Sequence, residues 1–172
     1  MDAEPPAPTL SAGAAPESSD AMLHFEDFTV GDRWTLGPFC LEEAEIIEFG
    51  RKWDPQPFHT DPVAARSSPF GGLVASGIHT LAAVIRAQYD EMMSGVAAVG
   101  GVGFDSLRFR GPVRPGQPLI GEIEVVETSP RWPGRDWGQV TFHLRIALET
   151  GEELLRFDNR VLIWHRDASP AV

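Results

Sequence analysis

L-V-A-S-G-I-H-T-L-A-A-V-I-R-A-Q-Y, residues Leu73 to Tyr89, is apolar nearly all round, with polar relief at Ser76, His79, Thr80 and Arg86. A helix apolar on most faces is buried on most faces, so this stretch predicts a central core helix. After Gly95 the apolar period changes from 3.6 to 2. Val140, Phe142, Leu144, Ile146 and Leu148 alternate with Gln139, Thr141, His143 and Arg145, a strand pattern. Leu119, Ile123 and Val125 alternate with Glu122 and Glu124 in the same way. Leu155, Phe157, Val161 and Ile163 mark another strand, and Gly103 to Arg110 an earlier one. Turn residues at Gly111-Pro112, Pro115-Gly116 and Thr150-Gly151 separate them. Strands in succession without intervening helices predict a mainly antiparallel sheet. The expected fold class is α+β, one long helix wrapped by that sheet.

Upstream, F-E-D-F-T-V-G-D-R-W-T-L from Phe25 reads as an entry segment, a turn at Gly31-Asp32 and a short strand. From Glu42 to Trp53 the pattern is helical: Ile46, Phe49 and Trp53 share a face, acids fill the first turn, and Arg51 and Lys52 occupy the last. Pro55 ends that helix. Asp61 and Pro62 form an N-cap and N1 pair for a short helix through about Arg66. The loop S-S-P-F-G-G, 67–72, leads into the core helix. Residues 1–22 are rich in Pro, Ala, Ser and acids and bury too little apolar surface to offset their ordering entropy, so a flexible tail is expected there. A single domain is expected over 23–168, with a short C-terminal tail over 169–172.

The chain has 172 residues, a length that fits one domain with a real core. Its net charge is −11, from 25 acids and 14 bases, which argues against a nucleic-acid partner, since that would need a basic face. An anionic ligand must therefore be met locally, by a few arginines or by helix N-termini. One cysteine, Cys40, allows no internal disulfide; with acids at Glu42, Glu43 and Glu45 beside it, it reads as a small semi-buried apolar residue and not a nucleophile. No apolar run approaches the roughly 20 residues of a membrane span, and the N-terminus lacks a signal-peptide pattern, so a cytoplasmic protein without membrane contact is the expectation.

W-D-P-Q-P-F-H-T-D-P-V-A-A, Trp53 to Ala65, carries the chemistry. Asp54 and His59 can reach one water molecule together, one removing a proton and the other supplying one. Pro55, Pro57 and Pro62 leave the segment few alternative shapes. Taken singly, Asp54 reads as loop punctuation after a helix and His59 as an imidazole capping a backbone group. Their joint spacing, followed by Asp61-Pro62 and the core helix, favours an acid–base site. Asp61 reads as an N-cap. Ser76 lacks the G-x-S-x-G setting of a hydrolase nucleophile. His79 reads as a satisfied core histidine, and His143 as a surface or dimer-contact residue. None of the five histidines pair at metal-ligand spacing.

With these elements placed, the chain resembles the MaoC-like, R-specific enoyl-CoA hydratases of the hot-dog superfamily. The family pattern D-x-N-P-ψ-H-x-D-P-x-x-A, with ψ apolar, reads here Asp54, Pro55, Gln56, Pro57, Phe58, His59, Thr60, Asp61, Pro62, Val63, Ala64, Ala65. Phe70, A-S-G-I at Ala75 to Ile78, and P-V-R-P-G-Q at Pro112 to Gln117 extend the likeness. It covers about residues 25 to 165. Gln56 stands where the family has Asn, and Ser76 where a His usually precedes the central Gly; both departures bear on substrate more than on reaction class.

The resemblance implies reversible addition of water to a trans-2-enoyl thioester, giving an R-3-hydroxyacyl thioester. Asp54 and His59 would handle the protons, and the Gly77 amide would face the thioester oxygen. No metal or redox cofactor is implied; coenzyme A enters as part of the substrate, with an acyl-carrier-protein thioester as the alternative. Arg108, Arg110 and Arg114 form the densest basic cluster, and Arg110 and Arg114 are candidate contacts for coenzyme A phosphates. A homodimer or higher homo-oligomer is expected, because such a sheet leaves an edge and a face to cover. The rival readings are a hot-dog acyl-CoA thioesterase and a non-catalytic acyl-CoA-binding module.

Overall fold

The structure is a computed structural model that describes residues 22–130 and 134–168. Its elements are β1 (Arg33–Phe39), α1 (Glu43–Trp53), α2 (Pro57–Thr60), α3 (Pro62–Ala65), α4 (Gly77–Glu91), β2 (Ala98–Phe109), β3 (Leu119–Ser129), β4 (Trp137–Ala147) and β5 (Glu153–Trp164). One-turn 3-10 segments at Phe25–Asp27 and Met93–Gly95 precede β1 and β2. The strands form one sheet in the order β1-β3-β4-β5-β2, every neighbouring pair antiparallel. This is the α+β architecture expected.

Alternation builds the core. Leu144 stands opposite Ile123 on one side and Phe157 on the other, and all three side chains are fully buried. Burying each such group contributes about 1.5–3 kcal/mol. The inner face of the sheet packs on Leu81 and Val84 of α4 in one continuous cluster. Asn159 of β5 donates to Gln88 of α4 at 3.0 Å, which fixes the face of β5 that looks toward the helix. The outer face carries the intervening residues, among them His143, Arg145, Arg156, Asp158 and Arg160.

Local chemistry accounts for the helices. Glu42 and Glu45 form a capping box that opens α1. The Asp61 side chain accepts from the amides of Val63 and Ala64 and opens α3, with Pro62 at its first position.

Some expectations are corrected. The core helix starts at Gly77, and Leu73 to Ser76 form a buried connection pinned by Val74 N–H to Phe58 O and Ala75 N–H to Val113 O. The helix buries one face, through Thr80, Leu81, Val84 and Gln88, while Ile78 and Tyr89 are more than half exposed. Cys40 is exposed and donates to Glu42, whose carboxylate pushes the thiol pKa up. β2 begins at Ala98, ahead of the expected Gly103, because Gly100 and Gly101 blank the alternation there. Of the tail expected over 1–22, all but Met22 lies outside the described residues, as do 169–172.

Candidate active site

Asp54 is the residue that closes α1, its amide donating to Gly50 O at 2.9 Å. His59 sits on α2, a single helical turn in a segment whose prolines suggest only a stiff loop; Pro57 at its first position needs no amide partner. Gly50 lets the two helices meet, because a Cβ there would lie 2.6 Å from His59 O. The sequence holds that glycine, yet only the fold shows what it approaches. Gln56 precedes α2 as its N-cap without a side-chain capping bond. The turn is braced instead by His59 N–H to Gln56 O and by the Thr60 hydroxyl to the same carbonyl.

The two side chains come together. His59 Nε2 stands 3.5 Å from Asp54 Oδ2. His59 is buried, and the Asp54 side chain is about one third exposed (36%). His59 Nδ1 lies 2.7 Å from Val74 O; a carbonyl only accepts, so Nδ1 carries the hydrogen. In the neutral ring Nε2 is then an acceptor aimed at the carboxylate. Two acceptors at this separation suit a water that donates one hydrogen to each.

Ser76 belongs to this constellation, and sequence reasoning misses it. Its hydroxyl donates to Asp54 Oδ2 at 2.7 Å from a fully buried position, 22 residues along the chain. It orients the carboxylate and leaves Oδ1 open.

Gly77 is the first residue of α4, where the first backbone N–H groups have no intrahelical partner. A Cβ at Gly77 would meet the Phe109 ring at 3.0 Å, so the missing side chain lets β2 close over the helix start. Phe109 is itself about half exposed. The amide end of α4 thus lies beside the residue that anchors Asp54.

The arginines take other positions. Arg114 donates to Phe70 O at 2.7 Å, holding the loop whose Phe70 ring meets Phe58 edge-on at 5.2 Å. Phe58 in turn packs edge-on against His59 at 4.5 Å. Arg110 lies 3.5 Å from Glu153 on the outer side of the sheet, and Arg108 donates to Leu107 O. His79 departs from the satisfied histidine expected. It stacks on Phe49 at 4.5 Å, its buried Nδ1 has no partner among the described residues, and burial pushes its pKa down. His143 pairs with Asp158 at 2.6 Å on the outer face.

A surface depression of about 470 Å³ lined by Ala44, Ile47, Glu48, Arg51 and Lys52 lies along α1 and includes neither Asp54 nor His59. Among the described residues no group of three metal-ligating side chains converges, and no helix is long and apolar enough to cross a membrane.

Comparisons with known proteins bear on the fold and the family. The MaoC-like domain model matches residues 26–141, two thirds of the chain. A 3-hydroxybutyryl-CoA dehydratase from Methylorubrum extorquens is 32% identical over 110 residues, 63% of this chain and 68% of that protein. The crystal structure of a MaoC-like dehydratase from Rhodospirillum rubrum is 35% identical, covers 84% of this chain and 98% of its own, and superposes with a TM-score of 0.72. An R-hydratase from Pseudomonas aeruginosa shares the fold at 21% identity and a TM-score of 0.68, over 83% of this chain and 86% of its own. The likeness of fold, the span of the match and the Asp54–His59 segment within it lead to one statement: this chain belongs to the family of proteins with a MaoC-like, hot-dog dehydratase domain.

Proposed function

We propose that the protein catalyses reversible hydration of a trans-2-enoyl thioester to the R-3-hydroxyacyl thioester. The observation that carries this reading is the open Asp54–His59 pair, 3.5 Å apart with Nδ1 already engaged. One water donates to Asp54 and to His59 Nε2. As its oxygen attacks C3, one of the pair takes a proton from the water, and that proton is then delivered to C2, from the group that took it or after passing to its partner. A C–O and a C–H bond form, the C=C π bond and one O–H bond break, and the pair regains its starting protonation. Charge that builds on the thioester oxygen is met by the Gly77 amide and the positive end of α4. Arg114, beside the Phe70 loop, and Arg110 remain the proposed contacts for the coenzyme A phosphates; an acyl-carrier-protein thioester uses the same chemistry. No metal or redox group enters the scheme.

The relative's name, a 3-hydroxybutyryl-CoA dehydratase, supports a short acyl-CoA. A second copy of the chain is proposed to cover the exposed Ile78, Tyr89, Phe104 and Phe109 on α4 and β2, making a homodimer that shields the site. A thioesterase or a silent acyl-CoA-binding module would leave the paired acceptors Asp54 Oδ2 and His59 Nε2, placed to bridge one water, without a role.

Crotonyl-CoA followed for loss of the conjugated thioester absorbance, with thiol release measured in parallel, separates the readings. Loss without thiol release is the expected result. Thiol release in step with the absorbance change, or binding without turnover, overturns the hydratase.

A further inference from the structure

The outer face of the sheet holds a cavity that the acid–base site does not use. It measures about 390 Å³ and is lined by Val102, Arg135, Trp137, Gln139, Arg160 and Leu162. Strand register places it. Gln139 pairs with Leu162, between the pairs Gly138–Ile163 and Val140–Val161, whose side chains or Cα face the core. Side chains one residue apart point to opposite faces, so Gln139 and Leu162 point away from α4. Val102 also lies seven residues from Phe109, the β2 residue at the active site, or about 23 Å of strand. The sheet itself stands between the two sites.

The walls have a definite chemistry. The Trp137 ring meets Trp164 edge-on, centroids 5.3 Å apart and planes at 88°. The Arg135 guanidinium lies 5.3 Å from the Trp137 centroid, and no ion pair with Arg135 occurs among the described residues. Arg160 is held by Asp105 through Nε at 2.9 Å and Nη2 at 3.3 Å, which leaves Nη1 outside that pair. Val102, half exposed, and Leu162 supply an apolar floor. Arg135 and Arg160 are the two charged residues among those lining the cavity, in a chain of net charge −11. Flat indole and aliphatic surfaces with a few convergent polar groups are the usual makings of a small-molecule site, and this volume is in their range.

We propose that this cavity is a second binding site, for a small planar organic anion of the aromatic monocarboxylate class. The ring lies against Val102, Leu162 and the Trp137 face, the carboxylate meets Arg135 and the Nη1 edge of Arg160, and Gln139 supplies an amide donor at the rim. The proposal is independent of the hydratase reading, because none of these residues touches Asp54, His59 or Gly77.

The test titrates the full-length protein with 2-naphthoate and with its neutral analogue 2-naphthalenemethanol by calorimetry, in low salt. One naphthoate should bind per chain, at least tenfold tighter than the alcohol. R135Q, at an exposed position that leaves folding intact, should weaken naphthoate about tenfold or more, since it removes a charged hydrogen-bond donor to the carboxylate. W137L should abolish binding, with circular dichroism reporting its fold, and D54N should bind as wild type. The proposal falls if R135Q binds naphthoate unchanged, or if alcohol and acid bind alike. It also falls if D54N or excess crotonyl-CoA removes the binding, or if sedimentation shows this face occupied by a second copy and naphthoate does not bind.

Discussion

Among the described residues three histidines face a carboxylate, and one of them is held apart. On the outer face His143 Nδ1 meets Asp158 at 2.6 Å, and at the end of β5 His165 Nδ1 meets Glu26 at the same distance. These are closed pairs with no room between partners. In the third, Nδ1 is turned away to Val74 O and Nε2 looks at Asp54 across 3.5 Å. The closed pairs tie strands and termini together. The open pair is pinned from behind on both sides, by Val74 and by Ser76, so that its reactive edges face a common space. A hydrogen bond already made directly between His and Asp leaves nothing for substrate water; one prevented by fixed neighbours does.

The comparison can be broken at the open pair first. D54N and H59A should each reduce crotonyl-CoA hydration by about 10²–10⁴-fold with the fold retained, as general acid–base groups commonly supply that much. Rates within twofold of wild type in both would place the chemistry elsewhere. G50A should come next: its Cβ would press on His59 O, so α2 must shift away from α1. The expected result is a loss of about 10-fold or more in kcat, misplacement being costly in proportion to the reaction's geometric demands; an unchanged rate would show that the 3.5 Å gap is not held by this contact. S76A removes the hydroxyl that orients Asp54 and should lower kcat more than it raises KM, with a stability cost of about 1 kcal/mol measured by urea unfolding.

The closed pairs should respond in stability alone. Burial alone would raise the Glu26 pKa, yet hydrogen bonds from His165 and the backbone hold it below the ordinary glutamate value. Its folded-state pKa is thus below the unfolded one, so its contribution is present above the unfolded pKa and is lost as pH falls through the folded one. E26Q should therefore unfold more easily than wild type at neutral pH, the difference narrowing as pH falls below the ordinary glutamate value, while the hydration rate stays put. A pH-independent difference would mean that packing of Phe25 and Arg166, not the charge, holds this end. H143A, on a partly solvated face, should cost about 1 kcal/mol or less.

Much of this is legible in the amino-acid sequence. Alternation through most of Leu119–Ser129, Trp137–Ala147 and Glu153–Trp164 specifies three strands, because each buries one face and a single-residue slip would expose it. β2 is legible only in its second half, since its exposed residues need no alternation within this chain. Asp54 and His59 are visible because a short, proline-stiffened segment fixes them locally. Their surroundings are hidden for the opposite reason. Ser76 reaches Asp54 across 22 residues, Phe109 covers Gly77 from another element, and Arg135, Trp137 and Arg160 share a cavity only once β4 and β5 are paired. Local pattern reports what a segment buries, not what it meets.

Hydration of crotonyl-CoA in deuterium oxide tests the open pair most directly. A single water served by two groups on one side must add oxygen and deuterium to the same face of the double bond. The expected product carries one deuterium at C2 and the R configuration at C3, with that same-face relationship seen by NMR. Opposite-face addition, or deuterium scrambled over both C2 positions without isomer control, would contradict a mechanism built on one water held between Asp54 and His59.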